Sequence, residues 1–329
     1  MPSPIRVVHI CENPIAGAPI ALSKALNKWS EKRIQSRHIA ASDRNEKRVY
    51  DHDLLINDSN YNEIAKVISE SDIIHLHNFH RNQELFRRWP RLWDVVMRKR
   101  RVWQAHTQRN IAWMSMEDGL RDRDAVHLVI AQYHPRMYPE CQVVPNIVDI
   151  TTPELSPTRR GYRPSARVVY SPSRIGLRGW DDKGYDQTAP VLHKLVSAGI
   201  LSADIIMDVP HRECLARKQT GDIGIDEIVT GSYHLCSLET LAQGLITIAG
   251  LDDLQVRTLT DLTGCKPSEL PWVIATPKTL EKELCTLAAL SRDRIEEKQA
   301  YSRAWMEKYW HPKKAIERFV DVYESLIKQ

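Results

Sequence analysis

The residues with the clearest chemical potential lie between Asp226 and Gly250. This stretch reads as a short strand over Asp226–Thr230, a turn at Gly231-Ser232, a helix over Cys236–Gln243 and a second apolar strand over Gly244–Ala249. Gly244 stands where a helix C-cap takes a left-handed residue. A turn leading from a strand into a helix N-terminus presents unpaired backbone N–H groups and a positive dipole end to an anion. A carboxylate inside that helix, Glu239, can accept two hydroxyl protons, as a ribose would offer them. The same pattern also describes an ordinary strand-helix-strand unit with Glu239 on a solvated face. Upstream, Arg174 and Lys183 flank the turn 179–182. An arginine fork and a lysine point charge suit a diphosphate, and stabilise negative charge growing on a leaving group. Alternatively, both solvate a loop.

Histidines form a second group. His106 follows the strand Arg101–Ala105, and the C-terminal ends of strands are where α/β sheets meet ligands; a structural hydrogen bond is the plainer role. His77, Asn78 and His80 close the strand Asp72–His77. His75-x-His77 and His77-x-x-His80 have metal-ligand spacing, but no Cys, Asp or Glu nearby completes a set, so no metal is expected. Asp122-x-Asp124 lies in a charge-rich loop and reads as solvated. The six cysteines show no CxxC spacing, and Met1-Pro-Ser-Pro leads into a strand without the order of a signal peptide. The expectation is a cytoplasmic protein with reduced thiols.

The elements that must position these groups alternate. Strands are read at Ile5–Ile10, Asp72–His77, Arg101–Ala105, Val126–Ala131 and Gln142–Val144. Helices are read at Ile20–Trp29, Tyr61–Ser69 and Glu84–Arg101, the last interrupted or restarted at Pro90. A Pro/Thr/Ser/Arg-rich segment, Thr151–Ser165, has linker composition. A second series follows with strands at Ala166–Tyr170, Ala203–Val209, Asp226–Thr230, Gly244–Ala249 and Pro271–Ala275. Helices Leu280–Leu290 and Arg292–Gln329 end the chain, with a break near His311-Pro312. The alternation argues parallel α/β sheets in two domains.

In order and spacing these motifs resemble the retaining GT-B glycosyltransferases. Gly231–Gly244 is similar to their nucleotide-sugar signature, in which two glutamates flank a glycine-rich turn. The second glutamate falls on Glu239, followed by Ala242 and Gly244, and the first falls on Gly231, which marks a divergent member. Asp72–Asn78 resembles the family's Asp-x-x-His-x-His strand, and Cys141–Asp149 its interdomain Val-x-Pro-Asn-x-Val-Asp. Ser173–Gly184 resembles its Gly-Arg…Lys-Gly loop, with Ser173 replacing the glycine. Trp305–Leu326 resembles its C-terminal helix. The resemblance implies two Rossmann-like, doubly wound domains facing a central cleft. Residues 1–150 would form the acceptor side, 151–165 a linker, 166–304 the nucleotide-sugar domain, and 305–329 a helix crossing back to the first domain. It implies donor contacts from Gly17, Gly231, Ser232, Tyr233, His234, Leu235 and Glu239, the bulky Tyr233 and His234 reshaping the sugar pocket. Arg174 and Lys183 would act on the leaving group, His106 on the sugar, and His77 and Asn78 on the acceptor side. The donor would be a UDP-sugar, with neither cofactor nor metal and no obligate protein partner.

Charge bears on the acceptor. The net charge is +4, and the basic excess concentrates in residues 81–109, where nine basic residues stand against Glu84 and Asp94. Such an excess favours an anionic partner. Arg87 and Arg88, with Phe86, Trp89 and Trp93 beside them, suit a membrane surface, a lipid-linked or phosphorylated glycan, or nucleic acid. Peripheral attachment at the inner membrane face, transfer to a hydroxymethylated DNA base as in phage enzymes, and a sugar-nucleotide-binding protein without turnover all stay open. So does a patch of core aromatics and solvated arginines.

Overall fold

The computed structural model describes residues 3–45, 48–78, 84–107, 109, 117–158, 161, 164–172 and 183–329. Arg174 with Ser173, the turn 179–182, and His80 lie outside the described residues. The chain divides into two compact units, Met1–Ile147 with Pro312–Gln329, and Val148–His311.

The first unit is built on β1 (Ile5–Cys11), β2 (Ile34–Ala40), β5 (Leu54–Leu55), β6 (Ile73–His77), β7 (Arg100–Ala105), β8 (Ala125–Ile130) and β9 (Gln142–Val144). The short strands β3 (Arg44–Asn45) and β4 (Arg48–Val49) form a separate antiparallel pair. The seven-stranded sheet has the order β5-β2-β1-β6-β7-β8-β9, and every pairing in it is parallel. Parallel sheets are covered on both faces. Val7, Ile73 and Val102 accordingly join one apolar cluster, and Val8, Ile10, Ile74 and Leu76 another. The helix Glu317–Lys328 lays the stripe Phe319, Val320, Tyr323 and Leu326 into the first of these. Arg33 pairs with Glu317 at 2.6 Å and Glu324 at 3.4 Å, and Arg100 Nε donates to Leu326 O at 2.7 Å.

The helical stretch expected over Glu84–Arg101 is interrupted at Pro90 as expected, giving Glu84–Arg88 and Pro90–Met97, because proline lacks the N–H needed to continue one helix. Arg100 and Arg101 belong to β7 instead.

The second unit carries β10 (Arg167–Tyr170), β11 (Ser202–Ile205), β12 (Ile223–Ile225), β13 (Ile246–Ala249) and β14 (Trp272–Ile274), all parallel in the order β11-β10-β12-β13-β14. The strand expected at Asp226–Thr230 lies earlier, at Ile223–Ile225. Gly224 is its centre because the Thr240 side chain of the covering helix stands 2.8 Å from where a Cβ would be. Residues from Asp226 on form the loop beyond the strand. Each sheet reverses its winding order once, at β1/β6 and at β10/β12, and the carboxyl ends at such points are where α/β sheets receive ligands. Among the described residues no helix is long and apolar enough to cross a membrane.

Candidate functional site

In the second unit the switch point is lined by buried charge. Glu239 sits in the helix Leu235–Ala242 and is 5 % exposed, so it does not lie on a solvated face. Lys218 Nζ donates to Glu239 Oε2 at 2.6 Å from the buried side, and His211 Nε2 lies 2.7 Å from Oε1. Both partners come from the helix His211–Lys218, whose first and last residues fall on one face. Burial pushes the Glu239 carboxyl up, but the Lys218 charge and then His211 outweigh it and hold it well below the carboxylate range. Burial lowers the Lys218 ammonium, and Cys236 and Glu239 more than restore it. The pair is ionised.

Closer to β12, Asp226 and Glu227 divide two tasks. Asp226 is fully buried, accepts the His234 N–H, and stands 3.4 Å from Lys183 Nζ and 3.5 Å from His234 Nδ1. Its carboxyl is pushed up by burial and drawn far lower by Lys183. Lys183 is thus a buried ion-pair member, and its carbonyl accepts the Tyr170 hydroxyl at 2.9 Å. Glu227 turns back into its own loop, accepting N–H groups from Val229, Thr230 and Ser232 at 2.7–2.8 Å and the Thr230 hydroxyl. That carboxylate shapes the turn Thr230–Leu235 ahead of the helix.

Gly231 has φ +80°, and a Cβ there would stand 2.7 Å from Asp252 Oδ2. Asp252, whose Oδ1 caps the helix Asp253–Thr263 through Gln255 N, therefore fills the space a side chain at 231 would need. A carboxylate stands beside the turn, but it does not come from position 231. Ser232 is fully buried, with its hydroxyl 3.1 Å from Gln255 Oε1. Tyr233 does not reshape a pocket: its ring lies in the core against Trp272 and Trp310. His234 is buried on Asp226, and Leu235 packs against the same core.

In the first unit Gly17, with φ +80°, ends the loop after β1 and caps the helix Ala18–Trp29. His106 is half-buried just past β7. Asn78, at φ +48°, accepts the His106 backbone N–H on Oδ1 at 2.6 Å, so it holds His106 in place. His77 is not an acceptor contact either. It is 1 % exposed, with His9 Nδ1 2.9 Å from its Nε2 and His106 Nε2 3.0 Å from its Nδ1. Sequence spacing found no third group beside His75 and His77; the sheet register supplies His9, and the three offer ring nitrogens within 4.8 Å of one another.

The basic segment also differs from the expectation. Arg101 is buried, donates to both oxygens of Asp122 at 2.6 and 2.8 Å, and also bonds Met97 O and Lys99 O. Asp122 additionally accepts Trp103 Nε1. The Asp122 side chain is 7 % exposed, and only Asp124 is solvated. Phe86 is buried, Trp93 packs edge-on against it at 5.1 Å, and Trp89 packs on Tyr61 at 5.0 Å, so these aromatics serve the core. Arg87 and Arg88 are exposed, Arg88 reaching Asp58 at 2.9 Å.

The residues missed by sequence reasoning are His211, Lys218, Asp226, Glu227 and Asp252. His211 and Lys218 were legible in principle, being a His and a Lys on one face of a polar helix. Asp252 was not, since nothing local links it to Gly231.

The molecule is thus an α/β protein of two Rossmann-like parallel-sheet units, the fold of GT-B glycosyltransferases. Among solved structures it is similar to the catalytic domain of starch synthase IV from Arabidopsis thaliana, bound to ADP and acarbose. The TM-score is 0.59 at 10 % identity, over 99 % of this chain and 100 % of that one. It is also similar to an O-GlcNAc transferase mutant from Thermobaculum terrenum, with TM-score 0.53 and 14 % identity over 99 % of this chain and 68 % of that one. WaaG, a glycosyltransferase involved in lipopolysaccharide biosynthesis, gives TM-score 0.50 and 9 % identity over 96 % and 99 %. No protein-family model matches the chain, and no curated protein matches it in sequence.

Proposed function

We propose that the chain is a glycosyltransferase that moves a sugar from a nucleoside diphosphate, a UDP-sugar in the first instance, to an acceptor hydroxyl with retention of configuration. One observation supports this above the others. Glu239 is an ionised, buried carboxylate held between Lys218 and His211 in the helix beyond the switch point of the second sheet. A carboxylate fixed there suits ribose hydroxyls, with His211, the exposed partner, giving way to them. The turn Gly231–Leu235 and the helix N-terminus suit the diphosphate. Lys183, steadied by Asp226, and Arg174 supply charge to the leaving group without a metal. His106 meets the sugar. The acceptor is anionic, met by exposed arginines such as Arg87 and Arg88.

Calorimetric titration with UDP, ADP and GDP tests the core of this reading. Glu239→Gln keeps the shape of the side chain and removes the charge, so the preferred nucleotide should bind about 10- to 100-fold more weakly, roughly 1.5–3 kcal/mol. Equal affinity in a folded variant refutes the assignment. Gly231, standing where the resemblance implies a first glutamate, favours one second reading, a sugar-nucleotide-binding protein without turnover. Nucleotide binding with neither hydrolysis nor transfer of the sugar would decide for it.

A further inference from the structure

The face of the first sheet that carries Val7 and Ile73 is lined with imidazoles. His9 on β1 lies opposite His38 on β2 and His75 on β6, and Cys11 lies opposite His77. His9, His77 and His106 form a continuous chain: His9 Nδ1 to His77 Nε2 is 2.9 Å, and His77 Nδ1 to His106 Nε2 is 3.0 Å. The chain starts in the core, where His9 is 0 % exposed and its Nε2 meets no hydrogen-bond partner among the described residues. It ends at half-buried His106. Both His77 nitrogens are engaged in this chain, and the His75 ring stacks on that of His77 at 4.2 Å and 17°.

Burial holds His9 and His106 down at about 3 and His77 well below its ordinary value, so all three are neutral at pH 7. A neutral imidazole has one N–H and one lone pair. Linked in series, the three rings can therefore run in only two directions. In one, His9 Nδ1–H donates to His77, His77 Nδ1–H donates to His106 Nε2, and His106 carries its proton on Nδ1. In the other, every proton is exchanged and His9 is left with an N–H at Nε2. That N–H would be buried without an acceptor, a state rarer in proteins than an unmet acceptor lone pair. The first direction is therefore the stable one.

We infer that His9 and His77 are positioning residues that lock His106 in the tautomer protonated on Nδ1, so that His106 serves as a hydrogen-bond donor to an oxygen of the bound sugar and not as a base. The sugar in that statement rests on the proposed function; the tautomer does not. The test is long-range 1H–15N correlation of the histidine-labelled full chain at pH 7.5, without ligand, with His106 assigned by comparison with His106→Gln. The expected spectrum shows His106 Nδ1 protonated and Nε2 unprotonated. His9→Leu removes the first donor, and the two His106 tautomers should then mix. His9→Gln restores an amide N–H, should restore the single tautomer, and keeps the test open if His9→Leu does not fold. A proton on His106 Nε2 in the native chain, or a His106 tautomer unmoved in folded His9→Leu, overturns the inference whatever the activity. Binding separates this from the reading it rests on. Folded His9→Leu should bind UDP as the native chain does and UDP-glucose several-fold more weakly. Equal weakening of both would indicate a structural effect and overturn the positioning role. A native chain that binds neither refutes the proposed function and leaves the tautomer result standing.

Discussion

Replacing Lys218 by Met would test the charge architecture of the second unit most directly. The substitution keeps much of the apolar stem and removes the charge, leaving Glu239 with His211 alone. The two side chains are 3 % and 7 % exposed and 2.6 Å apart, so this is a buried pair broken from one side. Such a break costs about 3–5 kcal/mol, whereas removing both charges together in Lys218→Met/Glu239→Leu should recover much of it. The pH dependence gives the sharper signature. In the native chain burial raises the Glu239 carboxyl but Lys218 and His211 bring it well below its ordinary 4.5. Its contribution to stability is therefore full above about pH 4.5 and lost as pH falls through the depressed folded value. In Lys218→Met burial dominates, and the folded carboxyl rises above its unfolded value. Its contribution is then present at low pH and lost as pH rises through the raised folded value. The gap between native and variant chains should widen from pH 5.5 to pH 8. Urea unfolding of the native chain and the two variants at both values, followed by far-ultraviolet circular dichroism, measures it. A Lys218→Met chain within 1 kcal/mol of native at pH 8, or a gap independent of pH, refutes the reasoning.

Two further outcomes follow from the first unit. His9 and His38 are held by burial at about 3 and about 4, and His75 and His77 well below the ordinary 6.5. Because these folded values are depressed, the stability they confer is full above pH 6.5 and lost as pH falls. A histidine still neutral at pH 5 costs about 2 kcal/mol there, so the unfolding midpoint should drop steeply between pH 7.5 and 5, and a flat profile would refute it. Arg101→Gln should destabilise by about 3–5 kcal/mol in urea, since it strips Asp122 of a buried two-point partner, while Arg87→Gln should change stability by under 0.5 kcal/mol. Equal midpoints for the two would refute the burial assigned to Arg101.

The fold was readable because its signal is periodic. Apolar runs such as Ile5–Ile10 alternating with a helical stripe such as Ile20–Trp29 announce a parallel sheet without any tertiary knowledge. The strand Ile34–Ala40 escaped because Gln35, Ser36, Arg37 and His38 break the apolar run, although parallel pairing along its whole length with β1 makes it a strand all the same. The position of Glu239 was legible from the turn before it and the glycine after it. Its partners were legible only as a His and a Lys on one face of an earlier helix, whose polar composition hides the buried edge that meets Glu239. Arg101 misled for the converse reason. A run of four basic residues looks solvated, but strand alternation turns Arg101 inward while Arg100 faces out.

Stability alone does not account for the charges gathered behind the second sheet. Lys183 with Asp226 and Lys218 with Glu239 are two buried ion pairs within one unit, both near the carboxyl ends of β10 and β12. Pairs of that kind are often no better than apolar residues of the same volume, since desolvation cancels most of the attraction. Their net gain in stability is therefore small. Nor is there a shortage of backbone control nearby, because Glu227 already fixes the turn with four hydrogen bonds of its own. What the two pairs add is fixed charge held on rigid elements, next to a helix N-terminus and at the point of the sheet where ligands enter. A nucleoside diphosphate presents hydroxyls at one end and negative charge at the other. On the proposed function a held carboxylate at Glu239 and a held ammonium at Lys183 would answer those two ends, and that function is tested first through Glu239.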